Sequence, residues 1–142
     1  MTDFINLTPH AIEVYPAAAF VGLERVNPAI LIADCVDATQ AIAVYESQGV
    51  ARIETEVKQL EFHSSKAGVP MVVTTYGEAT GIPPFVYQLT DDLLPWLVVT
   101  SPMQSMARAS NHPLANVMVA PHQVVRSRSN RSMVLGCMGF TL

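Results

Sequence analysis

Charge is scarce in this chain. Its 142 residues include 8 Lys and Arg and 12 Asp and Glu, so charged side chains make up 14% of the sequence against a hydrophobic share of 50%. With a mean hydropathy of +0.30, these charges are too few to coat an isolated soluble surface, and extensive subunit contact is the expectation. Cysteine is nearly absent: Cys35 and Cys137 stand most of the chain apart, which reads as reduced, buried thiols rather than a disulfide or a metal pair. Long apolar runs are missing too. None approaches the roughly 20 residues of a membrane-spanning helix, so no membrane partner is expected. The opening MTDFINLTPH lacks the basic segment and following apolar core of a signal peptide. There is no GxSxG nucleophile elbow, P-loop, HExxH zinc motif or dinucleotide fingerprint, so neither a cofactor nor a metal is expected.

What is present fits one domain spanning residues 1–142, with enough apolar side chains for a core that needs no staples. The net charge of -4 argues against broad attraction to nucleic acid. Its distribution is uneven. Residues 1–92 hold all 12 acidic and four basic residues, net -8, whereas residues 93–142 hold Arg108, Arg126, Arg128 and Arg131, net +4. Opposite potentials of this kind hold one subunit against another, or cancel within a single fold.

The stretch GVPMVVTTYGEATGIPPFVYQL, Gly68 to Leu89, organises the rest. Val69 to Tyr76 is rich in β-branched residues, whereas Gly77, Gly81, Pro83 and Pro84 oppose continuation; a strand, a glycine-rich turn and a second strand-like run follow as the reading. Met71, Val73 and Thr75 share one face of the first run, Val72, Thr74 and Tyr76 the other, so both are coverable, by the domain itself or by another subunit. Glu78 sits at the polar end, placed to accept turn hydrogen bonds or to face a ligand.

Elsewhere, Phe4 to Leu7 and Ala11 to Tyr15 read as a strand that bends or lies at an edge around Pro9, with His10 either fixing the bend through its ring or serving a site. A turn at Asn27-Pro28 separates strand candidates at Ala29–Cys35 and Ala41–Tyr45; a short helix from Ala38 to Val44 competes with the latter. Val50 to Phe62 alternates as a long strand, with Arg52, Glu54, Glu56 and Lys58 on one face, and leads into a polar connection at His63–Gly68. Thr90-Asp91-Asp92 starts a short helical turn before Pro95, and Trp96–Thr100 resumes a strand. Ser101-Pro102 marks a helix start with Ser101 as cap; Met103, Met106 and Ala107 form its core stripe, and Asn111-His112-Pro113 ends it, with His112 structural or exposed. Asn116–Ala120 is a strand candidate before Pro121. The terminal QVVRSRSNRSMVLGCMGFTL forms a hairpin around Ser129-Asn130-Arg131. The fold expected is mainly β, a compact sheet-rich sandwich or partly open barrel with one or two short helices.

Three segments, Asn6-Leu7-Thr8-Pro9-His10, Gly49-Val50-Ala51-Arg52-Ile53, and Tyr76-Gly77-Glu78 with Gly81-Ile82-Pro83, resemble a small family of uncharacterised bacterial and bacteriophage proteins. The resemblance covers about residues 4–90 and departs between Tyr15 and Glu46 and at Ser101–Ala109. It implies a bacteriophage setting, in the virion or in the bacterial host cytoplasm during assembly, and carries over no catalytic assignment.

Three functional classes follow. A structural or interaction subunit of a phage particle, an assembly, capsid-associated or connector component paired with its own copies or with other phage proteins, accounts for the apolar composition and the polarised charge. A small enzyme using His10 and Glu78 in acid–base chemistry, with His122 as a further candidate, requires the fold to bring them within hydrogen-bond reach. Arg126, Arg128 and Arg131 are candidates for solvent, for a protein interface or for clamping an anion; a phosphate backbone is disfavoured because aromatic interleaving is absent.

Overall fold

The computed structural model describes residues 4–59 and 71–142. In chain order its strands are β1 Phe4–Asn6, β2 Ile12–Val14, β3 Phe20–Val21, β4 Glu24–Asn27, β5 Ile30–Ala33, β6 Cys35–Val36, β7 Ala43–Tyr45, β8 Arg52–Gln59, β9 Val72–Thr80, β10 Trp96–Val98, β11 Met118–His122, β12 Val125–Ser127, β13 Val134–Gly136 and β14 Gly139–Thr141, with a helix α1 at Ser101–Ala109. The expected class holds: mainly β, several sheets, one substantial helix and short 3-10 turns. The sheets do not close into a barrel.

Two four-stranded sheets carry the two cores. The first runs β1-β10-β11-β14; β1, β10 and β11 are parallel and β14 is antiparallel. Parallel neighbours need a crossover, and α1 supplies it between β10 and β11. Thr100 caps α1 by accepting the Met103 N–H at 3.4 Å, with Pro102 in the first turn, where its missing donor goes unnoticed. The cap therefore sits one residue before the expected Ser101. As the stripe requires, Met103 and Ala107 are buried with Leu97, Val99 and Met118, and Met106 packs at the margin. The second sheet runs β13-β12-β5-β4 and encloses Tyr15, Phe20, Leu31, Ala33, Val125 and Leu135. The Asn27-Pro28 turn and the Ser129–Arg131 turn fall where expected, between β4 and β5 and between β12 and β13.

The NLTPH segment leads from β1 of the first sheet into β2, which pairs with β7. Asn6 is 1% exposed. Its Nδ2 donates to the His10 and Tyr45 carbonyls, each at 2.8 Å, and its Oδ1 accepts the Thr8 N–H at 3.0 Å and the Thr8 hydroxyl at 2.6 Å. Ser47 Oγ then donates to the Thr8 carbonyl at 2.6 Å. The bend after β1 is thus made by Asn6 and Thr8. Of the two readings of His10, the one in which its ring fixes the bend is not met: its carbonyl takes part instead.

Several local expectations are corrected. β9 does not stop at Gly77 but continues to Thr80: Ile53 pairs with Ala79 and Thr55 with Tyr76, so Gly77 and Glu78 together face Glu54 in a β-bulge. Gly81, at φ 84°, ends the strand. Pro84 then opens a 3-10 turn over Pro84–Gln88 instead of a second strand, since its fixed φ suits a first helical turn. The helix considered at Ala38–Val44 is one 3-10 turn, Ala38–Gln40, with Asp37 accepting the Thr39 N–H; Ala43–Tyr45 is strand. β11 passes through Pro121, because β10 pairs with it only as far as Val119 and no ladder donor is missed on that side. Cys35 is exposed rather than buried, while Cys137 is buried as expected; neither is in a disulfide. The end of the Val50–Phe62 strand, the His63–Gly68 connection and the start of the Val69 run lie outside the described residues.

Candidate functional site

The feature that stands apart from both cores is the β8–β9 ribbon. Among the described residues its base is what joins the core: Ile53 is buried and Ala79 packs against the first core. Beyond the base, Thr55 pairs with Tyr76, Glu56 with Thr75, Val57 with Thr74, Lys58 with Val73 and Gln59 with Val72. Directly paired residues share a face. One face therefore carries Tyr76, Thr55, Thr74, Val57, Val72 and Gln59, with no charge, and the other carries Glu56 and Lys58. Val57 is 62% exposed, Val72 59%, Met71 46%, Val73 41% and Tyr76 38%. Eight residues of β8 at about 3.3 Å each make a ribbon roughly 26 Å long.

Beside the ribbon's base lies a groove of about 700 Å³ lined by Thr75–Ala79, Tyr87 and Ser110–Pro113. It brings Glu78 together with Tyr87 and His112. The His112 Nδ1 accepts the Leu114 N–H at 3.0 Å, which places the proton of the neutral ring on Nε2, 3.3 Å from the Tyr87 hydroxyl. Burial pushes the Tyr87 pKa up, with a smaller push from the Glu78 charge; burial lowers that of His112. The groove thus offers a protonated hydroxyl and a carboxylate to a hydrogen-bonding group, while the His112 ring is committed to its own turn. Tyr87 and His112 were not expected here. They are 25 residues apart and meet through tertiary packing, for which no sequence spacing is a signal.

His10 lies elsewhere, in a cleft of about 590 Å³ between the sheets with Thr8, Glu13, Ser101, Arg126 and Cys137 among its lining residues. The Cys137 thiol is raised in pKa chiefly by burial. His122 borders a third hollow of about 430 Å³ with Arg25 and Arg126. The three acid–base candidates His10, Glu78 and His122 therefore line three separate depressions.

The arginines divide as well. Arg128 is taken up inside the chain: it donates to Asp34 Oδ1 and Glu24 Oε2, each at 2.8 Å, and to the Gly22 carbonyl at 2.7 Å. The two carboxylates raise its pKa. Part of the charge asymmetry between the chain's two ends is thus cancelled within the fold. Arg126 donates across the hairpin turn to the Arg131 carbonyl at 3.1 Å and remains exposed, bordering two of the hollows. Among the described residues no group of three or more His, Cys, Asp or Glu side chains is arranged to hold a metal ion, and no helix is long and apolar enough to cross a membrane. Compared with protein-family models, with curated proteins and with solved structures, the chain matches none of them.

Proposed function

We propose that this chain is a structural or protein-interaction subunit of a bacteriophage particle, an assembly, capsid-associated or connector component, joined to its neighbours through the β8–β9 ribbon. The observation that carries this reading is the ribbon's uncharged face, which lies outside both cores. A two-stranded ribbon in water is marginal by itself and gains stability when a third strand or another surface covers it. Covering what remains exposed of each valine, about 60%, would contribute about 1–2 kcal/mol, and of the less exposed tyrosine correspondingly less, before the cost of association. The phage setting is supported by the resemblance carried by the NLTPH, GVARI and YGE segments, and it places the chain in the virion or in the host cytoplasm during assembly.

The test is co-sedimentation of purified protein with particles, comparing wild type with a Val57→Ser, Val72→Ser, Tyr76→Ser variant. These side chains lie outside both cores, so the variant is expected to keep its circular dichroism spectrum and lose particle association. Wild-type protein that never associates with particles would overturn the proposal.

A further inference from the structure

The two outer edges of the ribbon are not alike. β8 carries a charge at every second residue, Arg52, Glu54, Glu56 and Lys58, the pattern that keeps an exposed strand edge from pairing with another chain. Along β9 and the Met71 that precedes it there is none through Gly77; charge returns at Glu78, within the bulge. Among the described residues β8 is the only strand paired with β9, so the other edge of β9 presents unpaired backbone donors and acceptors. It is long, β-branched and unguarded.

Resting on the assembly reading above, we infer that the partner at this edge is the β9 strand of a second copy, paired antiparallel about a two-fold axis at Thr74. In that register Thr74 faces Thr74 of the second copy, Val73 faces Thr75, Val72 faces Tyr76 and Met71 faces Gly77. Threonine pairs and aromatic pairs with β-branched residues are favourable cross-strand neighbours. No charged residue is brought opposite another, although each chain carries net charge -4. Two-fold pairing asks of a partner only what this strand already carries. The bulge at Gly77–Glu78 bounds the pairing, because it breaks the ladder and introduces a carboxylate. The product is a four-stranded sheet, β8-β9-β9-β8, in which the two uncharged faces become one continuous surface. A joint this short lies below the roughly 1,200 Å² of a standard interface, in the class of weak and transient contacts, so the pair is expected to form in a concentration-dependent way.

The experiment joins sedimentation velocity at rising concentration to cysteine cross-linking in a Cys35→Ser background, which removes the exposed thiol. The chain is expected to pass from 15.4 kDa to twice that mass, and Thr74→Lys to weaken this about 10-fold or more. Thr74→Cys is expected to cross-link under mild oxidation, because opposed β-carbons lie within about 5.5 Å. Val57→Cys shares that face one strand further in, about 14 Å from its counterpart across three strand spacings, and is expected not to cross-link. Equal cross-linking at both positions would mean that the faces stack and would overturn edge pairing. A chain still monomeric at the highest concentration sedimented, which nonetheless binds particles, would overturn self-pairing and leave the assembly reading intact. Monomeric protein that also ignores particles would remove both.

Discussion

Replacing Asn6 by alanine removes a side chain that closes four hydrogen bonds at a single buried point. The substitution leaves the Thr8 N–H without its acceptor and the His10 and Tyr45 carbonyls without this donor. A buried polar group stripped of its partner costs about 1–3 kcal/mol, and a typical bond contributes about 1 kcal/mol net. Thr8 is 6% exposed, so its N–H bears the largest cost; the two carbonyls, each with a second lone pair, bear less. A total of about 3–4 kcal/mol follows. At about 2.1 cal/mol/K per residue, 142 residues give an unfolding entropy of roughly 0.3 kcal/mol/K, so Tm falls by about 10–13 °C. The assay is urea and thermal unfolding followed by circular dichroism, with Asn6→Asp as the companion. Aspartate keeps both acceptor bonds but turns a negative oxygen toward the two carbonyls, so at neutral pH it is expected to cost at least as much as alanine. A loss under about 1 kcal/mol for alanine, the worth of one ordinary bond, would refute the claim that this side chain knits the bend after β1 to β7.

Two further perturbations test other joints. Gly81 sits at φ 84°, where a β-carbon would collide with the Val50 carbonyl oxygen; Gly81→Ala is expected to cost about 2–4 kcal/mol, read as a lowered urea midpoint at constant m, and wild-type stability would show that this turn relaxes freely. Burial lowers the His112 pKa below its ordinary 6.5, so the fold favours the neutral ring more than the unfolded chain does. The stability this gives is present above pH 6.5 and is lost as pH falls through the depressed folded value. His112→Asn, which keeps an acceptor near the Leu114 N–H without titrating, is expected to lose less stability than wild type between pH 7.5 and pH 5 in thermal melts; equal losses would place the pH dependence elsewhere.

Elements specified by neighbouring residues were legible in the sequence. The α1 stripe at Met103, Met106 and Ala107, the Asn27-Pro28 turn and the hairpin around Ser129–Arg131 each depend on periodicity or turn chemistry within a few residues. Elements decided by distant partners were not. Gly77 reads as a strand breaker until Glu54 is known to lie opposite it, and Pro121 until β10 is known to have ended. The groove of Glu78, Tyr87 and His112 depends on three segments meeting, and Arg128 looked available for a ligand until folding brought Glu24 and Asp34 to it.

The same limit explains why the sequence leaves open whether β9 is central or has its second face covered by another subunit. Residues 71–77 carry what an interior strand carries: β-branched side chains on both faces and no charge. Sequence pattern reports what a strand can bury, whereas topology decides what is there to bury it. Among the described residues β9 has one neighbouring strand, β8, and the alternating charges lie along β8, whereas β9 carries a single charge, Glu78, in its bulge. A strand composed for two neighbours and given one is what the proposed assembly requires: on that reading its second edge is met by another molecule, and its composition counts for assembly more than the same residues would in a buried sheet.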